Sequence, residues 1–172
     1  RFYLRRGMVT FGNFNRTPWY ISFGQYYMPF GSFSSSLISS TPTKTIGRVN
    51  IRGFTVGHHT DHMDYQLFFG RGATYVHNPK TINEWGLSAS YDWVFDPNQN
   101  DNHVLVGAGY LDNMADASGI VSILEDESGR ADLSIQKRVP AFDVYLKGFY
   151  RDLSLKTEYI HALRAFNAAD FS

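Results

Sequence analysis

The 172-residue sequence contains no cysteine, which excludes a disulfide framework, a thiolate metal site and a cysteine nucleophile. Basic and acidic side chains are equally numerous, 16 of each, so the formal net charge is zero. A nucleic-acid partner would call for a basic face that neutralises phosphates, and this balance does not indicate one. The uninterrupted apolar runs are only a few residues long, whereas a membrane-spanning helix needs about 20. If the chain spans a membrane, it must do so with strands.

Aromatic side chains are abundant, at 16% of the chain, whereas only 19% of the residues are charged. A soluble domain would have to bury most of these rings. A β-barrel in a bilayer instead carries them on its outer wall, as an apolar band and as girdles at the two membrane interfaces. The composition therefore favours a barrel wall.

Residues 84–95 show the clearest pattern, an alternation of apolar and polar positions with a period of two. Such a period predicts a strand with one apolar and one polar face. Similar or weaker patterns predict seven further strands, at residues 2–11, 19–24, 48–52, 63–70, 104–111, 142–150 and 153–162. For the first and the sixth of the eight strands the faces are not assigned. Helical structure is limited to a short turn predicted near residues 114–123.

The predicted connections alternate between short and long. The short ones cover approximately residues 12–18, 57–62, 96–102 and 151–152, and the long ones residues 28–43, 71–82 and 112–141. Outer-membrane barrels join strands by short periplasmic turns and longer extracellular loops, so this rhythm favours an up-and-down barrel over a sandwich or Greek key. It also places both ends of the chain outside, whereas barrel termini normally lie in the periplasm. We therefore expect residues 1–172 to be an internal part of one larger barrel domain, with flanking strands missing at both ends.

The polar positions of the strands are candidates for the barrel lumen, where charges select the solutes that pass. They are Arg48, Asn50, Arg52, Asp64, Gln66, Glu84, Asp92, Asp143, Lys147, Lys156 and Glu158. For most of these residues, we favour the interpretation that they form a mutually neutralising network that stiffens the wall. Arg48 and Arg52 stand four apart on one predicted face, where a basic ladder would favour anionic solutes. Candidates for the lipid-facing surface or its girdles are Trp19, Trp85, Tyr91, Trp93, Tyr150 and Tyr159.

His58, His59 and His62, with Asp61 among them, are ligand types that suit a transition metal. Their spacing is not that of a His-Glu-x-x-His site, and we favour a solvated hairpin tip. The acidic connection 112–141 lacks the ligand spacing of a calcium loop and is interpreted as a solvated cap, with an inward-folded constriction as the alternative. The chain shows no Gly-x-Ser-x-Gly motif, phosphate-binding glycine loop or outstanding paired carboxylates, so neither enzyme activity nor a cofactor is expected.

Residues 18–33 read Pro-Trp-Tyr-Ile-Ser-Phe-Gly-Gln-Tyr-Tyr-Met-Pro-Phe-Gly-Ser-Phe, a long and specific pattern. With the segments 9–13, 82–86, 107–116, 139–144 and 164–170, it resembles the legiobactin-receptor type of siderophore porin, a family of outer-membrane β-barrels. The resemblance implies a barrel of about 16 strands that passes a ferric siderophore or similar small solute.

The sequence thus predicts an all-β protein, a transmembrane up-and-down antiparallel barrel of the bacterial outer membrane, in contact with lipid and lipopolysaccharide and open to oligomerisation. Alternatives are a general diffusion porin, a structural barrel, and a soluble lipocalin-like binding barrel. The soluble alternative makes a distinct prediction. In it Trp85, Tyr91 and Trp93 would pack in a closed core, and Glu84 and Asp92 would face bulk water.

Overall fold

A computed structural model of the protein describes residues 6–33, 41–76, 82–95, 102–128, 133–167 and 170. These residues form one antiparallel sheet of eight strands, each paired with its neighbours in sequence. The strands are β1 (Gly7–Gly12), β2 (Trp19–Tyr27), β3 (Asn50–His59), β4 (Met63–Arg71), β5 (Glu84–Val94), β6 (His103–Leu111), β7 (Ala141–Tyr150) and β8 (Leu153–Ala162). The all-β, up-and-down prediction is confirmed, and all eight predicted strands are present. Residues 2–5 of the first predicted strand lie outside the described residues.

The two kinds of connection lie at opposite ends of the sheet. Short connections join β1 to β2, β3 to β4, β5 to β6 and β7 to β8 at one end, which we call the turn end. The tightest is the two-residue turn after β7, where Arg151 has a φ of 51°, the left-handed conformation that such hairpin turns require. The long connections lie at the other end, the cap end, as the predicted rhythm requires of an up-and-down sheet.

Two short helices lie in the long connections. Helix α1 (Pro42–Gly47) begins after Thr41, whose Oγ1 accepts a hydrogen bond from the Lys44 amide at 3.3 Å. Helix α2 (Ser118–Ser128) follows a single turn of 3₁₀ helix at Met114–Asp116. The predicted helical turn near residues 114–123 is confirmed but is longer than expected, and α1 was not predicted. In the described part of the chain, no helix combines the length and apolar character needed to cross a membrane.

An apolar core lies between the long connections and one face of the sheet at the cap end. The sheet contributes Ile51, Phe68, Leu111 and Ala141, none of which is more than 1% exposed. We call the face that holds these four residues the inner face, and the opposite one the outer face. The connections contribute the other members of the cluster, Met28, Phe30, Val49, Met114, Ala115, Ala117, Ile120, Leu124 and Ile135.

The inner face is concave. The amide of Ser32, five residues beyond the end of β2, donates a hydrogen bond to Glu158 Oε1 of β8 at 2.7 Å. In a flat sheet β2 and β8 would stand about 29 Å apart, six strand spacings. Five extended residues span at most about 18 Å, so this contact requires the sheet to curve toward the segment that bridges it. Within the described residues the curved sheet remains open, because β1 and β8 do not pair.

Candidate functional site

The outer face carries an apolar surface that runs across the eight strands. Cross-strand neighbours share a face, and the register places Val9, Phe23, Phe54 and Phe69 in one row. A second row consists of Phe11, Ile21, Val56, Leu67, Leu87, Tyr110 and Phe142. The six aromatic residues predicted to share a surface all lie on this face, with exposed fractions of 59% for Trp19, 37% for Trp85, 40% for Tyr91, 61% for Trp93, 57% for Tyr150 and 57% for Tyr159.

Most of the predicted polar candidates lie together on the inner face. The register places there Asp64, Gln66, Glu84, Asp92, Asp143, Lys147, Lys156 and Glu158. Sequence alternation alone therefore grouped eight of the eleven candidates correctly.

The grouping of Arg48, Asn50 and Arg52 with these residues is wrong. Asn50 and Arg52 pair with Tyr27 and Gln25 of β2, which share the outer face with Phe23. Arg48 precedes the strand and stacks on the Tyr27 ring, with its guanidinium carbon 3.6 Å from the ring centroid. The reason is that the long connections, which together we call the cap, cover the inner face here. The alternating apolar residues, including Ile51, therefore point inward and the polar residues point outward. The proposed basic ladder therefore does not face the concave side.

Two acidic side chains of the inner face, those of Asp64 and Asp92, have basic or amide neighbours. Asp64 Oδ2 lies 2.9 Å from His59 Nδ1, and its Oδ1 accepts a hydrogen bond from Gln66 Nε2 at 2.5 Å. On the next pair of strands, Asp92 Oδ2 lies 3.7 Å from His103 Nδ1. Each of these two carboxylates thus has a partner on an adjacent strand.

The histidine cluster does not assemble into a metal site. β3 extends to His59, so His58 and His59 are successive strand residues and point to opposite faces. His58 contacts Trp19 on the outer face, with ring centroids 4.9 Å apart, whereas His59 joins Asp64 on the inner face. The interpretation as one hairpin tip is corrected, because only Thr60–His62 form the connection. Among the residues that the structure describes, no group of three or more His, Cys, Asp or Glu is placed to hold a metal ion.

A buried polar cluster fastens two long connections to the sheet. Asp116 Oδ1 accepts hydrogen bonds from the amide and the hydroxyl of Thr74, at 2.5 and 2.8 Å. Asn113 Nδ2 donates to Thr74 Oγ1 at 2.9 Å, and the Asn113 amide donates to Glu84 Oε1 at 3.0 Å. All four residues are at most 2% exposed.

The sequence did not identify Thr74, Asn113 or Asp116 as site residues. The interpretation of 112–141 as a solvated cap is wrong for its described part, since Ala115, Ala117 and Leu124 are at most 5% exposed. That part folds inward, as the alternative predicted.

A second polar region lies where the segment after β2 crosses the inner face. Glu158 Oε1 accepts hydrogen bonds from the amides of Ser32 and Phe33, at 2.7 and 3.3 Å. Beside it, a cleft of about 130 Å³ is lined by Lys147 and Lys156, which are direct cross-strand neighbours. The cleft also contains hydroxyl-bearing residues, namely Ser32, Thr41, Thr43, Tyr145 and Thr157.

Comparisons with known proteins find relatives in two bacteria. The chain is 29% identical to a UPF0422 protein of Coxiella burnetii, over 99% of this chain and 36% of that protein. It is 28% identical to a UPF0422 protein of Legionella pneumophila strain Philadelphia 1, over 99% of this chain and 33% of that protein. The chain thus spans about a third of the length of the curated relatives it matches. No family model matches the sequence, and no solved structure matches the chain.

Proposed function

We propose that this chain forms part of the wall of a transmembrane β-barrel in the bacterial outer membrane, and that the barrel passes a small solute such as a ferric siderophore. The observation that carries the proposal is the distribution of polarity over the two faces. Exposed aromatic and aliphatic side chains cover the outer, convex face, whereas the acidic strand residues all lie on the inner, concave face. That is the arrangement expected of a wall between lipid and a polar lumen.

The strand lengths support the same proposal. β2 to β8 are 9, 10, 9, 11, 9, 10 and 10 residues long. A tilted strand that crosses the hydrocarbon core of a bilayer needs about 9–11 residues.

The soluble binding barrel is the less favoured alternative because its predicted burial is opposite to that observed. Trp85, Tyr91 and Trp93 are 37%, 40% and 61% exposed, whereas Glu84 is 1% exposed. In water, such an outer face would be a large apolar patch of the kind that causes association.

The whole barrel requires more strands than the eight described here. An open sheet edge leaves N–H and C=O groups without partners, and such an edge does not occur in lipid. Since β1 and β8 do not pair with each other in the described structure, we propose that further strands of the full-length protein complete the wall.

The concave side suits a conduit for a polar solute. Its charged residues include the Lys147 and Lys156 pair, which lines a cleft with Ser32, Thr41 and Thr43 of the connection after β2. The resemblance to siderophore porins supplies the solute class, and a general diffusion porin is the alternative. Uptake of a labelled ferric siderophore should fall when the gene is deleted and return when it is restored. Equal uptake in both strains would contradict the assignment of a siderophore as the solute and would favour the general porin.

The barrel wall can be tested with cysteines introduced singly at two adjacent positions, since the chain has no cysteine of its own. Leu87 and Ser88 are consecutive in β5 and point to opposite faces. In the full-length protein in outer membranes, a Ser88→Cys thiol should react with a charged, water-soluble maleimide, and a Leu87→Cys thiol should not. In a spin-labelling experiment, position 87 should favour collisions with oxygen and position 88 with a water-soluble nickel chelate. Equal water access at both positions would refute the membrane wall.

A further inference from the structure

Two arginines stand directly opposite each other on the outer face. Arg52 of β3 and Arg71 of β4 are cross-strand neighbours, and both side chains are exposed. Within the eight described strands, they are the only Asp, Glu, Lys or Arg residues on the outer face. Like charges directly across a ladder destabilise a sheet. An anionic group bound beside the pair would offset this repulsion.

The arginine pair lies next to an aromatic row of the apolar outer surface, on its cap side. Phe54 and Phe69 are the next outer-face residues on the same two strands, and their rings stack with centroids 5.3 Å apart. The arginines thus lie one side-chain step, about 7 Å, beyond this aromatic row on the cap side. Aromatic side chains form the girdle at a membrane interface. Under the proposed function, the two guanidinium groups lie at the level of the lipid head groups.

The surroundings of the pair favour an anion. Arg52 Nε donates a hydrogen bond to Gln25 Oε1 at 3.1 Å, which orients the guanidinium group. A cleft of about 450 Å³ is lined by both arginines, Gln25 and Asn50. The acidic residue that also lines it is Asp116, whose carboxylate accepts hydrogen bonds from Thr74. Among the described residues that line the cleft, the positive charges outnumber the negative one.

We propose that Arg52 and Arg71 bind the phosphate groups of lipid A, the membrane anchor of lipopolysaccharide. This inference rests on the proposed function, which places the pair in the bilayer interface. The long connections of outer-membrane barrels are extracellular, and lipopolysaccharide forms the outer leaflet there. Guanidinium groups bind phosphate through paired, charge-assisted hydrogen bonds, and a lysine at the same place supplies only a point charge.

The test uses the full-length protein, folded in detergent micelles and titrated with purified lipid A while bound molecules are counted by native mass spectrometry. The double variant Arg52→Gln/Arg71→Gln should bind lipid A at least about tenfold more weakly, the effect of losing one charge-assisted hydrogen bond. The double lysine variant should retain part of the affinity. The matched control, Arg16→Gln/Arg151→Gln, removes two exposed arginines from the turn end and should bind as the wild type does.

Three outcomes would overturn the lipid A site. They are unchanged lipid A affinity in the glutamine variant, equal weakening in the turn-end control, and complete displacement of lipid A by inorganic phosphate, which would indicate a site for the free anion. Heat-modifiable migration verifies folding of each variant, and the lysine variant tests the site if the glutamine variant does not fold. The thiol reactivities at positions 87 and 88 test the wall independently, so failure of the site and failure of the proposed function give different results.

Discussion

Asp116 and Thr74 are 42 positions apart in the sequence, yet one carboxylate oxygen of Asp116 accepts hydrogen bonds from both the amide and the hydroxyl of Thr74. Both residues are buried, at 2% and 0% exposure. The pair joins the connection after β4 to the connection after β6. A single side chain thus fastens two parts of the cap.

Replacing this carboxylate should loosen the cap. In Asp116→Ala, the buried amide and hydroxyl of Thr74 lose their acceptor, and the variant should lose about 2–3 kcal/mol of stability. Chemical unfolding in micelles and protease resistance of the cap measure the loss. Asp126→Ala, which changes an exposed residue of α2, is the matched control. Equal stability of the two variants would contradict the assigned role.

Gly109 tests how closely side chains pack on the inner face of β6. A β-carbon at this position would collide with Asp143 Oδ1 and lie 3.3 Å from the Phe30 ring. Gly109→Ala should therefore destabilise the protein by about 1–3 kcal/mol, the usual cost of overpacking.

Gly148 provides the control for Gly109, because the nearest atom to its added β-carbon is 3.9 Å away. Gly148→Ala should be neutral or stabilising by up to about 1 kcal/mol, since it restricts the unfolded chain. Gly109→Ala should therefore unfold at a lower midpoint than Gly148→Ala, and the reverse order would contradict the close packing of Asp143 and Phe30 around Gly109.

A charged substitution should destabilise the protein on the outer face and should be tolerated on the inner face. Leu67 and Gln66 are adjacent in β4 and point to opposite faces. Leu67→Arg should cost about 2–4 kcal/mol at the centre of a bilayer, whereas Gln66→Arg should be tolerated beside Asp64. Folding yield into lipid vesicles measures both. Similar yields would argue against lipid on the Leu67 side.

The Lys147 and Lys156 pair should influence ion selectivity in the proposed conduit. Lys147→Gln/Lys156→Gln removes two positive charges from the inner face, so the reversal potential in a potassium chloride gradient should shift toward cation selectivity. The control is Lys137→Gln, an exposed lysine in the connection before β7. An unchanged reversal potential in a conducting double variant would place these lysines outside the conduction path.

The strands and most of their faces could be predicted because alternation is a local property that repeats along the chain. Alternation does not show which of the two faces is the inner one, because that depends on the segment that covers the face. Around Ile51 the cap covers the inner side, so the pattern of Arg48, Asn50 and Arg52 was assigned to the wrong face. The predicted start of the next connection, at residue 57, was wrong by three residues, since the strand continues through polar residues to His59.

The cap itself was largely unpredictable from local pattern. Helix α1 has only 6 residues, too few to show helical periodicity, and the 11-residue α2 is formed by a sequence of mixed polarity. The buried cluster around Asp116 depends on contacts between segments that are distant in sequence. Such contacts leave no signature in a single chain.

The crossing of Ser32 to Glu158 also bears on assembly. Because this contact links the segment after the second strand to the eighth strand within one chain, the bend of the sheet does not depend on pairing between β1 and β8. In the proposed barrel, a section held in this way would meet its neighbours with its curvature already set, so joining them would require pairing at the two edges and no further bending.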